Sequence, residues 1–275
     1  MMKYKIYNIL YFIIIFIIIL FTTIIIIIYD TPKVIYKVYS REVVVEGYSG
    51  KIKNVEIETV YEGKPVVGIS RSAFYDCQTL ETIIIPDGVK YINDLAFASC
   101  ANLREVILPD TITYLGHRVF ESCYKLEKVN IPNSVTDMSD KVFMNCRTLK
   151  TIVIPENITR IPAYTFSGCN SLETVLFPSN LNQISHSSFS NCINLTELII
   201  PDKVTMLESA FKNCTKLSSV VLPSSLILII PDGFSGCINL QSIKFKGTEM
   251  QWNELMKGRD VQAFNNSTIE FDFEG

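Results

Sequence analysis

Apolar residues in this chain fall into a short phrase that keeps returning. Leu80, Ile83 and Ile85 are spaced as Leu103, Val106 and Leu108 are, and as Leu126, Val129 and Ile131 are. Leu-x-x-Ile-x-Ile carries the period-two alternation of a short strand with one face buried. Proline follows at Pro86, Pro109, Pro132, Pro155, Pro178, Pro201 and Pro223. Having no N–H to give to a continuing ladder, it predicts the strand's end. The next residue is usually Asp, Asn or Ser (Asp87, Asp110, Asn133, Ser179, Asp202, Ser224), types whose side chains bond nearby backbone and support a turn. Val89 and Ile92, with their equivalents, then line a return limb. Ala73-Phe74 or Ala96-Phe97 opens the last bend.

Other columns share the step. Cysteines stand at 77, 100, 123, 146, 169, 192, 214 and 237, which is 23 residues apart (77 to 100) except for one interval of 22 (192 to 214). Three residues before each is a phenylalanine, Phe74, Phe97, Phe120, Phe143, Phe166, Phe189, Phe211 and Phe234, and three after each is a leucine, from Leu80 to Leu240. A period of this length marks a solenoid, because no single coil can bury all these faces and neighbours must stack. A small apolar side chain repeated at one interior position makes an internal column, so buried reduced thiols are the expected state of the cysteines. Strand spacing near 4.8 Å is within disulfide reach, but parallel Cβ directions are poor geometry for the bond. Zinc sites favour close pairs such as Cys-x-x-Cys, and the sequence has none.

Ahead of the repeats, the run from Ile9 to Ile28 is apolar apart from Thr22 and Thr23 and holds no charge, Pro or Gly. Twenty helical residues cover roughly 30 Å, a bilayer's hydrocarbon thickness. The alternative is a secretory signal, but Tyr29-Asp30-Thr31-Pro32 offers no small-residue cleavage site. Lys3 and Lys5 place the amino terminus in the cytoplasm by the positive-inside tendency; Lys33, Lys37 and Arg41 pull the other way. The expected organisation is a cytoplasmic terminus at 1–8, a transmembrane anchor at 9–28 and a linker at 29–42. Cap strands follow at 43–69, then a solenoid of about eight 23-residue repeats at 70–246 and a carboxyl-terminal cap at 247–275. The expected localisation is a single-pass membrane protein with the repeats outside the cell.

A formal net charge of -3 gives no excess of cations for phosphates, so no nucleic-acid partner is expected. No nucleophile elbow, His-Glu-x-x-His or phosphate loop appears. His117 and His186 share one repeat position three coils apart, roughly 14 Å by strand spacing, too far for a joint metal or proton. No enzyme activity, metal or cofactor is expected. Asn157, Asn194, Asn213, Asn265 and Asn266 head Asn-x-Ser/Thr triplets, which matter only in a eukaryotic secretory pathway.

Eight copies of a unit such as Ala-Phe-Ala-Ser-Cys-Ala-Asn-Leu-Arg-Glu-Val-Ile-Leu-Pro (96 to 109) resemble the BspA-like leucine-rich repeats, of the type also seen in treponemal surface proteins. The resemblance runs from about Val43 to the carboxyl terminus. Residues 47–50 and 61–69 are similar to that family's amino-terminal cap strands, and Lys246-Gly247-Thr248 with Gln251-Trp252 to its closing cap, with Trp252 as a lid. Val119, Val142, Thr165 and Ser188 depart from the usual Ala, Lys246 replaces the eighth Pro, and one residue is missing between Leu207 and Ala210. The fold class implied is a leucine-rich-repeat solenoid, an α/β-type horseshoe of short parallel strands with turns and short helices. The implied role is surface-exposed adhesion or binding, with an extracellular-matrix or host-surface protein as partner.

In such a coil the residues between the buried strand positions face the concave surface. One candidate row is Ile84, Ile107, Asn130, Val153, Leu176, Ile199 and Val221, ending at Lys244; the other is Thr82, Glu105, Lys128, Thr151, Thr174, Glu197 and Ser219, ending at Ser242. An apolar stripe across several strands is a mark of an interaction site, though β-branched residues also simply suit a parallel sheet. Glu81, Arg104, Glu127, Lys150 and Glu173 alternate in sign, so neighbours about 5 Å apart attract and support the register. The function expected is protein binding through this face. A self-associating envelope module without an outside ligand is the alternative.

Overall fold

A computed structural model of the chain describes residues 14–19 and 32–272. Residues 14–19 are helical; the rest of the expected anchor, and residues 1–8, lie outside the described residues. Among the described residues no helix is long and apolar enough to cross a membrane.

The repeats build a parallel β-solenoid. Each coil supplies a front strand, from Thr82–Ile84 through Glu105–Ile107 and onward to Ser242–Phe245, and a shorter back strand, such as Tyr91–Ile92 or Tyr114–Leu115. Bonded neighbours set the same repeat position opposite itself: Thr82 faces Glu105, Ile83 faces Val106 and Ile84 faces Ile107. A one-residue slip would turn every buried aliphatic outward, so the hydrophobic pattern fixes this register. The expected short helices are absent from most coils. The return limb is a two-residue strand, because Val89-x-x-Ile92 and its equivalents offer too few residues for helical turns; the one helical bend is the 3-10 turn Pro231–Phe234.

Between front and back lies a column of rings. Phe74, Phe97, Phe120, Phe143, Phe166, Phe189 and Phe211 stack near-parallel with centroids 5.1 Å apart at the first step and 5.5 Å at Phe143–Phe166. Phe234 tilts by 30°. Tyr48 extends the column at one end, 5.9 Å from Phe74, and Phe264 closes it at the other, 5.3 Å from Phe234. The bend carrying each ring is also tied to its neighbour: the Phe97 N–H donates to the Val119 carbonyl (2.9 Å), Phe120 to Val142 (2.8 Å) and Phe143 to Thr165 (2.9 Å). Beside the rings, each thiol after the first donates to the carbonyl of the preceding coil's Phe, as Cys100 does to Phe74 (3.0 Å) and Cys146 to Phe120 (3.3 Å). All eight cysteines are free.

The bends close on residues at positive φ five and one before the cysteine: Leu95 and Ser99, Arg118 and Ser122, Lys141 and Asn145. Gly168 and Gly236 take the second of these positions, where a Cβ would lie 2.3 Å and 2.2 Å from the Asn145 and Asn213 amide oxygens. The residue missing before Ala210 is the first of the pair, so that bend keeps only Asn213 in the left-handed region. Val119, Val142, Thr165 and Ser188, the departures from Ala, are all fully buried.

Both ends are covered, as stacking faces must be. Strand Lys33–Val38 arises inside the segment expected as a linker and pairs antiparallel with Val43–Ser49, since Val34 and Tyr36 alternate toward the core. Helix Glu249–Met256, started by a reciprocal cap between Thr248 and Gln251, buries Trp252 against Phe245 at 5.4 Å. Lys246, standing where Pro would end the strand, instead donates its N–H to Leu222 (2.9 Å) and lengthens the ladder.

Two interruptions mark the sheets. The back ladder stops between Asp137–Met138 and Arg160–Ile161. At that position Gly116, Ser139 and Ser185 donate to Ile92, Leu115 and Ile161, whereas Pro162 has no N–H for Met138. The front ladder stops between Lys128–Val129 and Thr151–Val153, and again between Thr174–Leu176 and Glu197–Ile199. At the first of these, the Asn130 amide occupies both the Leu108 N–H (3.0 Å) and the Leu108 carbonyl (2.9 Å).

Truncating a ring in mid-column should be expensive. Phe143→Ala is expected to lower the unfolding free energy by about 3–5 kcal/mol, read from urea denaturation, while Lys203→Ala on the surface stays within about 0.5 kcal/mol.

Candidate functional site

Alternation places the two candidate rows on the outer side of the front sheet. The first row is the more exposed: Ile84 at 43 %, Ile107 at 47 %, Val153 at 56 %, Leu176 at 53 % and Ile199 at 67 %, with Asn130 exposed and Val221 half-buried. Their inward neighbours Ile83, Val106, Ile152, Leu198 and Val220 are buried. In the second row Lys128, Thr151, Thr174 and Glu197 are exposed, while Thr82, Glu105 and Ser219 are half-buried. Asn130 breaks the apolar row, its side chain being turned onto the backbone of the preceding coil.

The charged column at the strand's start is only partly paired. Lys53 and Glu81 approach to 3.3 Å and Arg104 and Glu127 to 3.5 Å. Among the described residues no ion pair includes Lys150, Glu173 or Glu197. The Lys128–Thr151 gap separates Glu127 from Lys150. Exposed pairs of this kind are worth about 0.2–1 kcal/mol each, so they tune the register without holding the coils together.

Sequence reasoning did not find that the front face is opened by grooves. One, of about 460 Å³, lies at the first interruption and is lined by Glu105, Ile107, Glu127, Lys128, Asn130 and Lys150 among others. Another, of about 490 Å³, lies at the second, bordered by Glu173, Val175, Leu176, Phe177, Glu197 and Ile199. The signals were present as Asn130 and Phe177, one polar and one oversized side chain in columns of Ile, Leu and Val. On the opposite side, His117, Asp137, Asp140 and Arg160 border a third opening at Pro162. The two histidines are held through their backbones, His117 N–H by Asp94 (2.8 Å) and His186 N–H by Glu208 (2.8 Å). Among the described residues no group of three or more His, Cys, Asp or Glu is placed to hold a metal ion.

Burial holds five of the thiols neutral. It pushes Cys100, Cys123, Cys146 and Cys192 well up from the ordinary thiol value and Cys169 up to about 12. A buried neutral thiol is a poor nucleophile and a poor metal ligand, so these five are structural.

In-register coils around a continuous ring column, with one sheet face uncovered, define a leucine-rich-repeat solenoid. Residues 67–196 and 136–270, more than half of the chain, match the BspA type leucine rich repeat region in six copies, and the chain belongs to that family. The solved leucine rich repeat protein of T. pallidum is similar at 24% identity and TM-score 0.63, over 84% of this chain and 98% of that one. A leucine rich cell surface protein of Faecalibacterium prausnitzii is similar at 20% identity and TM-score 0.48, over 82% and 98%. At 24% identity the likeness to the T. pallidum protein shows the fold alone. No curated protein sequence matches the chain. Repeat proteins of this family and fold are typically non-enzymatic and are consistent with protein–protein interaction.

The thiol column has a pH signature. Its members ionise in the unfolded chain from about pH 9, but in the fold Cys169 does so only near 12. The contribution of Cys100, Cys123, Cys146, Cys169 and Cys192 to stability is therefore whole below 9 and lost as pH rises from there. The unfolding free energy read from urea denaturation is expected to stay flat from about pH 7 to 8.5 and to fall above 9, by up to about 1.4 kcal/mol per pH unit for each of these thiols. Replacing Cys123, Cys146 and Cys169 with alanine should make that fall shallower.

Proposed function

We propose that this chain is a membrane-anchored cell-surface protein whose front sheet binds other proteins, in adhesion to host or matrix proteins. The observation that carries the reading is the row Ile84, Ile107, Val153, Leu176 and Ile199. These are large aliphatics left exposed on a solenoid that buries nearly every other aliphatic column. Among the described residues no element covers that face, and contiguous apolar surface rimmed by polar side chains is what partners bury. The anchor rests on the uncharged run 9–28.

Self-association is the second reading, favoured by strand Lys33–Val38, which among the described residues is hydrogen-bonded in the sheet on one side only. Sedimentation over a range of concentrations separates the two: assembly that grows with concentration supports self-association, and a constant monomer supports an outside ligand.

Solid-phase binding of the full chain to extracellular-matrix proteins tests the main reading. The triple variant Ile84→Asp, Ile107→Asp, Val153→Asp is expected to keep its melting temperature and to lose about tenfold or more in affinity. Binding that the variant retains, or that never exceeds that of an unrelated solenoid, contradicts the reading. A tag after Gly275 should be reachable on intact cells; labelling only after permeabilisation reverses the orientation.

A further inference from the structure

The two openings in the front sheet differ in chemistry. The first has balanced charge, Glu105 and Glu127 against Lys128 and Lys150, and the Asn130 amide already occupies backbone groups beside it. The second is different. Val175, Leu176, Phe177, Ile199 and Pro201 line it beside Thr174 and Thr196, and it carries two carboxylates, Glu173 and Glu197, with no cation lining it. Neither carboxylate takes part in an ion pair among the described residues.

The opening has a cause in the sequence. Where the ladder is whole, the last inward position of the front strand is a buried Ile or Leu: Ile85, Leu108, Ile154, Ile200 and Leu222. Here it is Phe177, half-buried and set edge-on to Phe189 at 5.7 Å and 86°. An extra ring in a column sized for aliphatics must push its own strand outward. Val175 beside it is half-buried, whereas Ile152 and Leu198 in the adjoining coils are buried. Phe245 is tolerated at the same position in the last coil, where it meets Trp252 of the cap.

Lifting the strand leaves backbone groups along both lips without their repeat partners. Ile154 donates to the Leu176 carbonyl (2.9 Å) and Ile200 to the Val221 carbonyl (3.0 Å), but the corresponding bond from Phe177 to Ile199 is not made. Glu173 donates to Lys150 (2.8 Å) and Ser218 to Thr196 (2.8 Å), but Thr196 does not donate to Glu173. The groove thus offers main-chain donors and acceptors, apolar walls and an uncompensated negative rim in one place.

We propose that this groove takes an extended peptide segment of a partner protein that carries a lysine or arginine beside an aliphatic or aromatic side chain. The cation lies between Glu173 and Glu197, its neighbour packs on Leu176 and Ile199, and the segment's amides and carbonyls meet the unpaired groups on the lips. An acidic segment would place like charge against the rim and is rejected. The inference rests on the reading that the front sheet binds proteins, and it names where and what.

Fluorescence anisotropy with the full chain tests it, using two dye-labelled, end-blocked peptides, Val-Lys-Val-Lys-Val and Val-Glu-Val-Glu-Val. The lysine peptide is expected to bind about tenfold or more tighter than the glutamate peptide. Its affinity should drop about tenfold in the double variant Glu173→Gln, Glu197→Gln, and similarly in Phe177→Leu, which restores the repeat residue and closes the groove. Glu254→Gln, exposed on the capping helix, should leave it unchanged. Equal binding of the two peptides, or lysine-peptide binding indifferent to both the carboxylate pair and Phe177, overturns the proposal; so does an equal loss in Glu254→Gln. Should Phe177→Leu fold poorly, the carboxylate variant decides alone. Matrix binding that survives all these changes while the lysine peptide fails to bind removes the groove and spares the front-sheet reading. Matrix binding that ignores Ile84→Asp, Ile107→Asp, Val153→Asp removes that reading instead.

Discussion

Each ring from Phe74 to Phe211 is held by the ring above and the ring below, and the bend that carries it is tied to the next coil's bend by a short N–H to carbonyl bond. A buried phenylalanine contributes about 1.5–3 kcal/mol and a stacked pair about 0.5–1.5 more. Only a neighbouring coil supplies that contact, so a single coil has nothing to fold against. Stability is then a sum over interfaces, and the caps, Tyr48 at one end and Trp252 with Phe264 at the other, are needed because the end rings would otherwise face water.

Because the bends carry the continuity, the sheets can be imperfect. Between Phe120 and Phe143, where the front ladder is broken, and between Phe143 and Phe166, where the back ladder is broken, the rings remain 5.5 Å apart and the bend bonds are intact. Asn130, Pro162 and Phe177 each disturb a strand, and the bends absorb all three. A front face free of structural duty can vary in side chain and shape, which is the condition for carrying recognition.

Much of this was legible in the sequence for a physical reason: a stacked coil sees the same environment at every copy, so one side-chain choice repeats. The Phe and Cys columns, the strand at Leu-x-x-Ile-x-Ile, its stop at Pro and the outward placement of Ile84, Ile107, Val153, Leu176 and Ile199 all follow from that. The left-handed bend residues left a trace too, in the Ser, Asn, Asp and Gly that precede each cysteine. What stayed hidden depends on single copies. Pro162 looks harmless until the Met138 carbonyl calls for an N–H that proline lacks, and Phe177 reads as another apolar letter until its size is set against Ile154 and Ile200. Strand Lys33–Val38 lies before the repeats, where no periodicity points to it. The alternating charges suggested a continuous ladder, but the front-sheet gap separates Glu127 from Lys150.

Amide-resolved native-state hydrogen exchange tests most directly whether the bends hold the solenoid. The N–H groups of Phe97, Phe120, Phe143, Phe166 and Phe189 are expected to exchange slowest and together, at the free energy of global unfolding. Those of Lys150, Phe177 and Thr196, at the sheet gaps, should exchange orders of magnitude faster. Bend amides that exchange as readily as the gap amides, or front-strand amides that outlast the bends, would contradict the account.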